Sequence, residues 1–131
     1  MLSAKSVGIP VWPKSTFRSE LNSDMMSYTK VNYENVEPVA GGLHFLRDSL
    51  ECDQVGVSVL DCEPGWEGKP HDHADQAHEE VYVLVDGSAT VIVDDENVSM
   101  EAGDAVRIDP ESERQIRNGD DQSQFVLVGA P

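Results

Sequence analysis

Basic residues are scarce in this chain: nine Lys and Arg, only four of them Lys, stand against 25 Asp and Glu in 131 residues, a net charge of −16. Such a field repels phosphate backbones and anionic lipid, so nucleic acid and membrane surfaces are excluded as partners. The acid is spread along the chain rather than run together, the pattern of a solvated surface in a salt-loving organism, where concentrated salt screens self-repulsion. Cysteine is nearly absent. Cys52 and Cys62, in strand-like sequence and without a secretory signal, read as free buried thiols of a reducing cytosol. No run of eighteen apolar residues occurs, and the short apolar stretch near the start, interrupted by proline, is too small for a signal core. The expectation is a soluble cytoplasmic protein. Gly-rich phosphate loops and Ser or Cys nucleophile motifs are also missing, which disfavours hydrolysis through a covalent intermediate. Nothing has the period of a long amphipathic helix.

What is present is a succession of short apolar runs punctuated by turn residues. From Gly42 onward these are GLHFLR, QVGVSVLDC, VYVLV, SATVIVD, NVSMEA, DAVRI, RQIRN and QFVLVG. Their spacing, with DG, DDEN and NGDD between them, predicts an all-β sandwich or barrel. Asp86-Gly87 is expected to be a hairpin turn, glycine supplying positive φ. VYVLV and TVIV are apolar on both faces, so the outside of the sheet needs a cover: a second copy of the chain, or the N-terminal arm. Residues 1–25 carry a net +1 and the remaining 106 carry −17. The chain therefore divides into an N-terminal extension, 1–25, and a single barrel domain, 26–131, with Met25 or Met26 as an alternative biological start.

The stretch from Gly65 to Gly87 concentrates the chemistry. His71, His73 and His78 fall within eight residues and are followed by Glu79 and Glu80. In extended chain, His71 and His73 project from one side. A returning strand from Glu80 puts that carboxylate across from them, with Tyr82 on its face. Two neutral imidazoles and one carboxylate suit a first-row divalent ion and leave coordination positions open. Solvated histidines at a polar hairpin tip are the alternative. His44, alone in a strand, reads as a hydrogen-bonded core residue; Trp66 is a lid at the mouth or a strand-end anchor.

Gly65, His71, His73, Glu80 and Gly87 resemble in order the first motif of the cupin superfamily, with a loop two residues longer than usual between His73 and Glu80. Gly103, Asp104 and Asn118 resemble the second motif, whose metal-binding histidine is replaced by Arg114. A guanidinium has no lone pair to give, so Arg114 is not a ligand. The resemblance implies a jelly-roll β-barrel, a homodimer, a divalent transition metal (Fe, Zn, Mn, Ni or Cu) on His71, His73 and Glu80, and small-molecule chemistry of the oxygenase, isomerase or lyase type. His78 is the one replacement for the missing ligand. Arg114 either binds a small anionic molecule beside the metal, with Tyr82 orienting it, or pairs with Glu80 and takes the metal's place. The second case describes a non-catalytic binding or sensing module with little or no metal. Arg107 and Arg117 read as surface charges.

Overall fold

The computed structural model describes residues 27–131; the N-terminal extension and its charge reversal lie outside the described residues. The described chain is almost entirely strand. A one-turn 3-10 helix, Tyr33–Asn35, and a four-residue helix α1, Arg47–Leu50, are the helical pieces among the described residues. Eight strands follow the apolar runs: β1 Leu43–Phe45, β2 Gly56–Cys62, β3 Glu79–Asp86, β4 Ser88–Val93, β5 Glu96–Glu101, β6 Ala105–Ile108, β7 Arg114–Asn118 and β8 Ser123–Ala130.

They form two antiparallel sheets, a five-stranded one in the order β1-β2-β8-β3-β6 and a three-stranded one in the order β5-β4-β7. This is the jelly-roll barrel. Alternation along each strand builds the core between the sheets: Leu60 and Cys62 from β2, Tyr82 and Leu84 from β3, Val91 from β4, Met100 from β5, Ile108 from β6 and Phe125 from β8 are all nearly or fully buried. Each such side chain contributes about 1.5–3 kcal/mol of burial, so the inward face of every strand is specified by its alternation.

Two connections differ from expectation. Asp86-Gly87 does not make a hairpin, because β3 and β4 belong to different sheets. The register of β3 slips between Leu84 and Asp86, and Gly87, at φ 83°, carries the chain across. A Cβ there would lie 2.6 Å from the Gln122 carbonyl oxygen, so glycine is required for close approach rather than for a turn. The tight hairpin lies instead at Asp94-Asp95, between Val93 and its cross-strand partner Glu96, with φ of 49° and 70°. Two successive positive values make it a type I′ turn, whose twist matches the strands.

The N-terminal end of the described chain packs on the outer face of the larger sheet. His44 is buried, its Nδ1 lies 2.7 Å from the Val36 carbonyl, and its ring meets Tyr33 edge-on at 5.0 Å. Its place is thus the hydrogen-bonded one. Cys62 is buried and Cys52 half-buried, both free.

Candidate metal centre and cavity

The histidine segment does not form a regular hairpin with β3. Residues 65–73 run antiparallel beside β7: Gly68 donates to the Ile116 carbonyl, His71 and Arg114 exchange both backbone hydrogen bonds at 3.0 and 2.8 Å, and His73 donates to the Pro110 carbonyl. The segment thus extends the smaller sheet, whereas Glu80 sits on β3 of the larger one. The three side chains meet between the sheets, not across a turn. Pairing with Arg114 sets His71 on the same face as that inward-pointing arginine, since directly opposed residues share a face.

One ligand atom each from His71, His73 and Glu80 lie within 4.8 Å of one another. Donor atoms around a tetrahedral ion at ~2.1 Å are about 3.4 Å apart, and His73 Nε2 is 3.2 Å from Glu80 Oε1. The tautomers also fit. His71 Nδ1 is 3.0 Å from the Lys69 carbonyl oxygen, which can only accept, and His73 Nδ1 is 2.8 Å from Gln76 Oε1. With Nδ1 donating to these oxygens, the neutral form of each ring has its lone pair on Nε2. A lone pair facing a carboxylate oxygen is stable only with a cation or a proton between them. These residues fit a divalent ion.

Gln76 is a positioning residue that the spacing argument missed. It sits in the longer loop, where Gln76 and Ala77 both donate backbone hydrogen bonds to the His73 carbonyl. The loop's two additional residues accompany a turn tight enough to return a side-chain acceptor to the ring. His78 lines the cavity but is outside the donor cluster.

Arg114 is the largest of the fully buried side chains among the described residues, with none of its side-chain surface exposed. It donates to Glu80 Oε1 at 2.6 Å, to the Asp109 carbonyl at 2.6 Å and, through Nε, to the Ser112 carbonyl at 3.1 Å. Its side chain thus faces Glu80 and two carbonyls, and it is not among the residues that line the cavity. Of the two roles read from the sequence, the arrangement is the ion pair with Glu80. Tyr82 points inward and donates to the same Oε1 at 3.3 Å. Burial above all, and then the Glu80 charge, pushes its hydroxyl far above the usual phenol range, so it stays a donor. Arg107 and Arg117 are exposed and pair with Glu79, Asp109 and Glu67.

A cavity of about 470 Å³ opens beside this cluster. Its wall includes His71, His73, His78, Glu80 and Tyr82 together with Trp66 and the exposed Phe45. Trp66 donates its indole N–H to the Ala40 carbonyl at 3.0 Å, which anchors it as part of the rim. Asn118 stands away from the cavity. Its amide nitrogen donates to the carbonyls of Cys62, Glu63 and Asp121, and its oxygen accepts from Ser123, tying β7 to the ends of β2 and β8.

The family model described as Cupin domain matches residues 58–129, more than half of the chain. The protein belongs to that family. Among solved structures, a cupin protein from Bacteroides fragilis is similar at 28% identity and a TM-score of 0.69, covering 81% of this chain and 86% of that one. A sugar phosphate isomerase of the cupin superfamily from Silicibacter pomeroyi follows at 21% identity and 0.66, covering 78% and 75%. A predicted oxalate decarboxylase from Thermotoga maritima, at 19% and 0.65, covers 78% of this chain and 98% of that one. The latter two share the fold. No curated protein is similar to the chain in sequence.

Proposed function

We propose that this cupin holds one first-row divalent ion on His71, His73 and Glu80, with open coordination positions facing the cavity, and binds a small molecule against it. The observation that carries this reading is the pair of histidines whose Nδ1 atoms each lie against an oxygen acceptor, with His73 Nε2 beside Glu80 and one ligand atom of each of the three residues close enough to share an ion. Two imidazoles and one carboxylate suit iron, zinc, manganese, nickel or copper, and an open position serves both Lewis-acid and oxygen chemistry. Oxygenase, isomerase and lyase activity are all compatible with that set. With two unpaired thiols and a strongly acidic surface, the protein fits a reducing, salt-rich cytoplasm, and its outer sheet face fits a homodimer.

A second reading rests on Arg114. Its charge already neutralises Glu80, so the barrel is also consistent with a metal-free binding or sensing module in which Arg114 and Glu80 are a structural pair. Elemental analysis after reconstitution with each ion separates the two. The expected result is one ion per chain, lost in the His71→Ala, His73→Ala double variant. Absence of metal in the reconstituted wild type selects the ion-pair reading, and metal kept by the double variant moves the site elsewhere. Under the first reading Arg114→His, which removes the competing charge and adds an imidazole, tightens metal binding by about tenfold or more, the scale on which neighbouring groups tune such sites.

A further inference from the structure

We propose that the cavity selects a mainly apolar small molecule carrying a single polar group, and turns away sugars and sugar phosphates. This rests on the reading above that the cavity beside His71, His73 and Glu80 is the ligand site. Away from that cluster the wall is mostly apolar, with Leu43, Phe45, Leu60, Trp66, Ile116 and Leu127, and its polar side chains are Arg47, Gln54, Ser58 and Lys69. Phe45 is 56% exposed, an unusual state for a large apolar ring and a fitting one for the rim of an apolar pocket. A sugar would bring several hydroxyls to a wall with few partners for them: Tyr82 donates its hydroxyl to Glu80, and Ser58 is buried on β2. Unpaired hydroxyls in such a place cost roughly 1–3 kcal/mol each.

Sugar phosphates fare no better. Beyond what the ion itself supplies, a phosphate is held by guanidinium forks and ammonium groups, and those near this cavity are poorly disposed. Arg114 is wholly buried against Glu80. Arg47 donates to the Cys52 and Asp53 carbonyls, and Lys69 is exposed at the wall's edge. The net charge of −16 adds long-range repulsion. The substrate named for the sugar phosphate isomerase with the same fold therefore does not suit this barrel. An apolar body of one or two rings fills the volume, with one hydroxyl, carbonyl or amine at the histidine end.

Gly56 supplies the test. It faces inward at the start of β2 and lines the cavity, and a Cβ added there meets nothing closer than the Gly129 carbonyl oxygen at 3.8 Å. Gly56→Phe therefore fills the space without displacing the backbone. The probe is N-phenyl-1-naphthylamine, a neutral dye that fluoresces in apolar surroundings, titrated into metal-loaded wild type with glucose 6-phosphate as competitor. Saturable binding that the sugar phosphate does not displace is expected, weakened about tenfold or more in Gly56→Phe while the melting temperature holds. Phe45→Ser, at an exposed position, weakens it severalfold. No saturable binding, binding untouched by both substitutions, or displacement by glucose 6-phosphate overturns the proposal. Metal content is measured on the same wild-type samples: dye failure with metal retained sinks only this inference, and metal failure with dye binding retained sinks only the metal.

Discussion

Arg114 holds a full positive charge in a side chain with no exposed surface. Desolvating a guanidinium costs several kcal/mol, offset here by one carboxylate and two carbonyls that leave no buried polar atom unpartnered among the described residues. Cys62 is a contrasting buried group. Burial pushes its thiol from the ordinary value of 9.0 up to about 11, with Ser123 opposing and Asp61 assisting. The folded chain therefore keeps that proton after the unfolded chain has released it. Stability from this source is complete below pH 9 and falls as pH rises toward 11, by about 2–3 kcal/mol. Urea midpoints measured from pH 8 to 11 should show the decline. An aromatic disulfide reagent at pH 8 should label Cys52 quickly and Cys62 only as fast as the protein opens. Equal rates for both thiols would contradict the burial argument.

The eight apolar runs each became a strand because alternation leaves one face to bury, and that pattern is local. Connections were less legible. Asp86-Gly87 has the composition of a hairpin, yet β3 pairs with β6 and β8 while β4 pairs with β5 and β7. Whether a glycine reverses the chain or carries it to another sheet depends on which partners are available, and no local signal records this. At Asp94-Asp95 the reverse holds. Asp94 is fixed from both sides, its N–H donating to the Glu113 carbonyl and its Oδ1 accepting from the Glu113 N–H. Asp95, at φ 70°, is left to bear the left-handed backbone, at a cost of about 1 kcal/mol for a residue with a Cβ. Asp95→Gly should raise the melting temperature by roughly 2–6 °C in a calorimetric scan, while a β-branched residue there should lower it. A drop on Asp95→Gly would mean that the Asp95 side chain does something the turn geometry does not account for.

For the whole molecule, the outer face of the larger sheet is the unsettled surface. Val57, Val128 and Val81 lie in one cross-strand row and Val59, Val126 and Val83 in the next. All six are half-buried, and Val85 beyond them is 44% exposed. A valine sheet of this breadth is stabilised by a second layer, and a second copy of the chain is the cover we propose, with the N-terminal extension, residues 1–25, as the competitor. Light scattering in molar salt, where the acidic surface is screened, should give twice the chain mass, and Val126→Lys, Val83→Lys should reduce it to one. A wild-type monomer at every salt concentration would assign the face to the N-terminal segment instead.

The sequence by itself determined the strand positions, their inward faces and the residue types able to hold an ion, because alternation and donor chemistry are written in neighbouring positions. It also showed that Arg114 could not be a ligand. The tertiary structure alone decided that His71 and His73 lie along β7 while Glu80 approaches from the opposite sheet, that Gln76 returns to His73, and that Arg114 turns to Glu80 instead of the cavity. Those outcomes depend on how two sheets pack over one core, a relation between residues tens of positions apart that no local period encodes.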